Sequence, residues 1–429
     1  MKVLLAFAGS RGDAQPGVLI GRELASRGHE VTVAVSPNLV EFAERLGVSA
    51  VPFGIGSDEL LRAQRDDPRF HGVNPLGRVR AVLDLQRRGF AEAARDLDAL
   101  GEDNDVLVTG MACEEVAAEV ARHHAIPLAA VHFFPIRPNR AVPVIPASWA
   151  GTLPGELHRF GWRALTAARA RALARELAAF RRAVAGAGTD VPARGGPDRA
   201  PRELPAYTAI QAYDPELFPG LADELADLPF TGFPVPSDAG DLDPALARWL
   251  RDGPPPVYVG FGSMPVADPV AAESIAREAG RRLGRRMLLV GSMFRPRIGG
   301  DFAVVDQVDH GAVLPMCAAA VHHGGAGTTA ATLRAGIPSV ICSVQADQPY
   351  WGRQIEALGL GATAPFAGLT ANRLERLLIR ATEPEVVAWA AAFGAGFRDD
   401  GVRRAADVIE SIVPDSAVRE TPTMIGGVR

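Results

Sequence analysis

Cysteine is scarce. Cys113, Cys317 and Cys342 are the only three in 429 residues, widely spaced and set in or beside apolar segments. This excludes a disulfide framework and any metal site of closely paired cysteines, and it fits a reducing cytoplasm. Basic charge is not in excess either: 45 Lys and Arg stand against 50 Asp and Glu, giving a net charge of −5 and a pI near 6.0. A nucleic-acid binder would usually be basic. The basic residues are almost all arginine, a trait of GC-rich coding sequence rather than of function. No stretch approaches the roughly 20 apolar residues of a membrane span. The opening apolar run, residues 3–8, stops at Gly9 and is too short for the core of a signal peptide. There is no short-period repeat. What remains, 48% hydrophobic and 22% charged residues, is the composition of a soluble globular protein, long enough for two domains.

The punctuation of the chain predicts α/β architecture in both halves. A strand over 3–8, a loop Gly9-Ser10-Arg11-Gly12-Asp13-Ala14-Gln15, a helix from Pro16 to Gly28 and a strand over 29–35 make one βαβ unit. Further strands are expected at 105–110 and 128–132, with a helix over 114–123 between them. Residues 54–100 and 133–160 look less regular, and a single Ala/Arg-rich helix is expected over about 160–187, its arginines on a solvated face. His132 ends a strand, and Phe133 and Phe134 follow it into a proline-rich loop. These three are candidates for an apolar ligand pocket, or equally for loop residues capping the core.

Residues 234–243 turn to Pro, Gly and Asp and read as a linker. Beyond it, strands are expected at 257–261, 286–290, 302–305, 318–321 and 339–342. Helices are expected at 268–283, 330–335, 351–358, 371–381, 384–396 and 401–413. The division is thus 1–233, a linker, and 244–413, with the last helix free to pack back on the first domain and 414–429 read as a disordered tail. Two doubly wound, Rossmann-like domains would face each other across a cleft.

The most informative stretch is Val321-His322-His323-Gly324-Gly325-Ala326-Gly327-Thr328-Thr329, followed past the next strand by Asp347-Gln348. A glycine turn opening a helix brings backbone N–H groups close to a ligand, where the helix dipole favours negative charge. That predicts a seat for a diphosphate, with Asp347 and Gln348 near ligand hydroxyls at the carboxyl ends of the strands. His322 directly before such a turn reads as an anion contact, while His323 reads as a core histidine. Asp13 suits a general base directed into a cleft, or a helix cap beside Pro16. Arg11 is either a diphosphate contact or a solvent-facing loop arginine.

These motifs, with Tyr258-Val259-Gly260-Phe261-Gly262-Ser263-Met264 and Gly9–Pro16, resemble the family 1 nucleotide-sugar glycosyltransferases of GT-B fold. The resemblance covers nearly the whole chain and is strongest to the actinobacterial branch acting on glycopeptides, glycopeptidolipids, polyketides and sterols. It implies an inverting transferase moving a hexose or deoxyhexose from UDP- or dTDP-sugar to an apolar acceptor hydroxyl. It implies Asp13 as catalytic base. His322, Gly325, Ala326, Gly327, Thr328 and Ser263 would contact the donor diphosphate, with Ser10 and Arg11 as further candidates. Asp347 and Gln348 would hold the sugar, and Val308 would offer backbone contacts to the base. No metal or other cofactor is implied, since the three Asp-x-Asp triplets (96/98, 103/105, 241/243) lie away from the cleft. The partners implied are small molecules, with peripheral membrane contact if the acceptor is a lipid.

The sequence departs from the family pattern at Gln307 and Asp309, where many members carry an aromatic residue and a proline beneath the base. Ala330 replaces a ribose-clamping glutamate, which is compatible with a deoxyribose donor. A catalytic histidine of the plant type is absent near the N-terminus. Two rivals stay open. Gly325–Ala330 formally fits the dinucleotide fingerprint of an NAD(P)-dependent oxidoreductase, and a catalytically inactive relative would act only as a binding partner. An epimerase of the same fold is a further variant.

Overall fold

The computed structural model describes residues 1–70, 75–186, 205–237 and 240–413, apart from Ser263, Pro265 and Ala267. The tail expected beyond 413 lies outside the described residues. The strands in chain order are β1 (Lys2–Phe7), β2 (Glu30–Val35), β3 (Ala50–Pro52), β4 (Val106–Gly110), β5 (Leu128–His132) and β6 (Tyr207–Gln211). The second set is β7 (Val257–Gly260), β8 (Met287–Val290), β9 (Phe302–Val305), β10 (Ala319–His322), β11 (Ser339–Ser343) and β12 (Gly361–Pro365). They form two six-stranded sheets ordered β3-β2-β1-β4-β5-β6 and β12-β11-β10-β7-β8-β9, every pairing parallel. Both are doubly wound. Each reverses direction once, between β1 and β4 and between β7 and β10, and such switch points open a crevice at the strands' carboxyl ends.

The central strands are mostly apolar because helices cover both faces of each sheet. In β1, alternation sends Val3, Leu5 and Phe7 to one side, against the opening helix, and Leu4 and Ala6 to the other, against Phe90, Leu97 and Val120. A third cluster joins the halves: Phe134, Trp162, Tyr213 and Phe218 pack with Trp351 and Ile355, and Phe134 and Tyr350 lie with ring centroids 4.6 Å apart. The last helix, Gly401–Ser411, leaves the second sheet and completes the first core through Ala405, Ala406 and Ile409. Arg27 fastens it by pairing with Asp407 at 2.7 Å and Glu410 at 2.8 Å.

Several expected boundaries shift. The opening helix spans Arg11–Ser26 and begins five residues before Pro16. Ser10, in extended conformation, provides its N-cap, and the helix absorbs Pro16 by giving up the one bond its missing N–H would have made. Residues 54–100, expected to be irregular, hold helices Ser57–Asp66, Pro75–Arg88 and Phe90–Gly101. The Ala/Arg-rich helix is two, Gly155–Ala172 and Ala174–Gly186, broken where Leu173 turns inward. The helix after β10 starts at Ala326, four residues before the expected position.

Candidate functional site

At the end of β1 the chain turns through Gly9, at φ +128, into the opening helix. Asp13, in its first turn, reaches back: Oδ2 accepts the Ser10 backbone N–H at 2.8 Å and the Ser10 hydroxyl at 2.8 Å. A Cβ at position 9 would stand 2.5 Å from that oxygen, so glycine is required both by the dihedral and by the carboxylate's seat. Burial raises the Asp13 pKa, and the two bonds from Ser10 offset only part of the effect. Both bonds from Ser10 end on Oδ2, and Oδ1 receives none from another residue among the described residues. The capping and basic roles expected as alternatives for Asp13 are therefore compatible, one oxygen for each.

Across the cleft, β10 ends at His322, fully buried. Its Nδ1 accepts the Gly324 N–H at 3.2 Å, which puts the ring proton on Nε2, and Nε2 has no partner. Burial, with His323 and His310 close by, holds its pKa well below the ordinary histidine value. The ring is thus a neutral donor. Gly324, at φ +91, is the hinge of the turn: a Cβ there would lie 2.6 Å from Cγ2 of Ile341. Gly325 is the N-cap of Ala326–Arg334 and brings no side chain to cap it, so the first-turn N–H groups stay open to an anion. Gly327 is exposed in that turn, and a methyl group added to it would meet nothing within 4 Å.

Past β11, Ala346 adopts φ +53, uncommon for a residue with a side chain, and sets up Asp347. Oδ2 of Asp347 accepts Nε1–H of Trp351, one helical turn on, at 2.9 Å. Burial raises the Asp347 pKa to about 6, and the charge of Asp13 on the other lobe adds to the rise. Gln348 spends its carboxamide oxygen on the N–H groups of Val344 and Gln345, at 2.8 and 3.1 Å, and turns its nitrogen toward Sδ of Met264.

A cavity of about 790 Å³ is lined by Arg11 from the first lobe, the linker end Asp241–Asp243, Leu246, Pro296–Ile298 and Val304–Asp309. Its size suits a nucleoside. Val308 lines it, half-buried, and Gln307 is exposed at its wall. Asp309 accepts the N–H of Ala312 at 2.9 Å and caps the next short helix. Arg11 also lines the cavity, its guanidinium 4.7 Å from the centre of the Phe42 ring, so it faces the cleft as well as solvent. Ser263 lies outside the described residues.

Of the two readings open for His132, Phe133 and Phe134, ligand pocket or residues capping the core, the structure fits the second and buries all three to 7% exposure or less. Nε2 of His132 pairs with Glu114 at 2.9 Å, Phe133 packs beside Phe7, and Phe134 belongs to the aromatic cluster between the lobes. Burial satisfies apolar rings at a strand end more completely than an open loop would. Of the Asp-x-Asp residues, Asp96 accepts the Gly54 N–H and Asp105 that of Lys2 at the far end of the sheet, but Asp241 and Asp243 line the cavity, so the third triplet does not lie away from the cleft as expected; Asp243 is spent there on capping the helix Pro244–Arg251.

Comparison with known proteins decides the family. The chain is 38% identical over 387 residues to an uncharacterized glycosyltransferase of Mycobacterium tuberculosis, covering 87% of this chain and 89% of the relative. It is 30% identical over 448 residues to the vancomycin aglycone glucosyltransferase of Amycolatopsis orientalis, covering 99% and 100%. The chain belongs to the family 1 glycosyltransferases. Residues 296–415 of this glycosyltransferase match the C-terminal domain of the erythromycin biosynthesis protein CIII-like family. Its GT-B fold is shared with the glycotransferase of kitacinnamycin, at TM-score 0.66, 20% identity and coverage of 96% and 99%. A Streptomyces glycosyltransferase complexed with thymidine diphosphate gives 0.62, 20%, and 96% and 99%.

One residue of the glycosyltransferase's cleft escapes sequence reasoning. Trp351 orients Asp347, and the four-residue spacing on one helix is the available signal. His323, expected in the core, carries a buried Nδ1 without a partner, and burial lowers its pKa to about 4. Its ring fills the space beside Gly262 and Gly325, linking the turns after β7 and β10.

Proposed function

We propose that this glycosyltransferase moves a hexose or deoxyhexose from a UDP- or dTDP-sugar to a hydroxyl of an apolar acceptor, with inversion. The acceptor oxygen attacks the anomeric carbon, its proton passes to Oδ1 of Asp13, and the bond from that carbon to the diphosphate oxygen breaks. Nε2–H of His322 and the open N–H groups of Ala326, Gly327 and Thr328 receive the charge on the departing diphosphate. Asp347, and Gln348 through its amide nitrogen, take sugar hydroxyls; the base and ribose occupy the cavity beside Val308. Ser263, Ser10 and Arg11 complete the diphosphate site. In this reading the first lobe holds the acceptor, and donors fixed in the protein do the work a metal ion does elsewhere.

The observation that carries the reading is the unpartnered buried Nε2–H of His322 beside an uncapped helix start. Leaving such a donor unpaired costs about 1–3 kcal/mol, which a bound anion recovers. Asp13 on the facing lobe, with a raised pKa and one free oxygen, supplies the base. The relatives lend support, because one glucosylates the vancomycin aglycone, and one solved neighbour holds thymidine diphosphate.

Asp13→Asn and His322→Ala separate the roles. Asp13→Asn should lower transfer by roughly 10²–10⁴-fold while the thermal shift given by UDP or dTDP is kept. His322→Ala should weaken nucleotide binding at least ~5-fold in a calorimetric titration. Full turnover in the first variant, or unchanged affinity in the second, contradicts the corresponding assignment.

A further inference from the structure

Exposed apolar side chains are not spread evenly over the molecule. Among the described residues thirteen large hydrophobics are exposed, and six of them fall between 145 and 165: Ile145, Trp149, Leu153, Leu157, Phe160 and Leu165. Phe160 is 69% exposed and Trp149 57%. On the helix Gly155–Ala172 the spacing is regular. Leu157, Phe160, Ala164 and Ala168, all exposed, recur at three- and four-residue intervals along one side, the periodicity of a face made to be covered. The opposite side is already in use, for it buries His158 and Trp162. The helix is therefore amphipathic twice, with one apolar face inside the protein and one outside.

Charge around this face runs against the rest of the molecule. The two helices Gly155–Ala172 and Ala174–Gly186 carry seven arginines against two glutamates, in a chain whose net charge is −5. Arg163, Arg171, Arg175 and Arg182 are exposed. An apolar strip flanked by exposed arginines complements a surface that is greasy inside and negative at its boundary. We infer that this face docks the enzyme on an anionic lipid bilayer, with the apolar strip entering the headgroup boundary and the arginines meeting the lipid phosphates. No helix among the described residues is long and apolar enough to cross a membrane, so the contact is peripheral.

The position of the face ties it to the cleft. Trp162, on its inner side, packs 6.3 Å from the ring of Tyr350, which stands in the first turn of the helix after Asp347. The hydroxyl of Tyr350 donates to the carbonyl of Val144, and Arg353 donates to that of Pro146, so the loop bearing Ile145 and Trp149 closes against the donor lobe. Gly161 is held to Val144 so closely that a Cβ would lie 2.5 Å from Cγ1. An acceptor presented from the bilayer would thus enter at the rim of the cleft, which rests on the transferase reading above; the docking itself does not.

The test is sedimentation of the full chain with vesicles of phosphatidylcholine alone and of phosphatidylcholine with phosphatidylglycerol. The wild type should bind the anionic vesicles, with affinity falling as salt rises. The double variant Leu157→Ser/Phe160→Ser should lose at least ~10-fold, and Arg163→Glu/Arg171→Glu a similar factor. A dTDP or UDP thermal shift measured on each variant shows that it is folded and reports the donor site independently. Wild-type protein left in the supernatant with both vesicles overturns the inference. So does equal binding by the variants, or light scattering showing a dimer that Leu157→Ser/Phe160→Ser dissociates, since the face would then meet a second copy.

Discussion

At the scale of single residues the site is a set of groups whose proton states are fixed by burial. His322 is kept neutral with its proton outward, and Asp347 is kept close to protonation near neutral pH. The second has a measurable consequence. An acid whose folded pKa, about 6, exceeds its ordinary 3.8 binds its proton more tightly when folded. Its contribution to stability is fully present below the ordinary value and is lost as the pH rises through 6. At pH 8 the ionised carboxylate therefore costs stability. Asp347→Asn, which can still accept from Trp351, should raise the unfolding free energy at pH 8 by on the order of 1–3 kcal/mol. The gain should disappear near pH 4, while transfer is lost at every pH. Melting curves across that range check it, and a gain independent of pH would show that the carboxylate's charge is not the cause.

At the scale of elements the site is three strand ends and the turns that leave them. The helix Ala326–Arg334 tests whether its opening is shaped for a ligand. Gly327→Ala adds a methyl group into open space and replaces a poor helix former, so the free protein should gain up to ~1 kcal/mol. The same methyl stands where an anion would approach, so nucleotide affinity should fall by about tenfold or more. Stability and affinity moving in the same direction would place the ligand elsewhere. This turn is legible in the sequence because glycine, a helix former and a strand follow one another within a few residues. Most strands are legible for the same reason, being short apolar runs between breakers. β3, with three residues, β6, where Thr208 and Gln211 interrupt Tyr207–Gln211, and β12, built from Gly361, Ala362, Thr363, Ala364 and Pro365, carry no such run and are missed in the sequence. Pro16 misleads in the other direction: proline marks a helix start, but here Ser10 and Asp13 start it earlier. The placement of Phe134 depends on the aromatic cluster between lobes, whose members come from residues more than 200 positions apart, whereas Phe133 is set by Phe7 and His132 by Glu114.

At the scale of the whole molecule the two lobes are not independent beads. The last helix belongs to the second half by sequence and to the first by packing, with Ile409 fully buried in the first lobe's core. Ile409→Ala should cost about 2–5 kcal/mol and lower the melting transition of the first lobe, leaving the shift produced by nucleotide in place. An unchanged melting curve would mean that the strap adds no packing. This arrangement also bears on how the protein comes into being at the ribosome. Domains made first generally settle first, yet here the earlier-made lobe cannot close its own interior until residues 401–413 have emerged. The later-made lobe has no such wait. A nascent chain would therefore hold its first lobe unfinished, with an open seam in its interior, until the helix that seals it has left the ribosome.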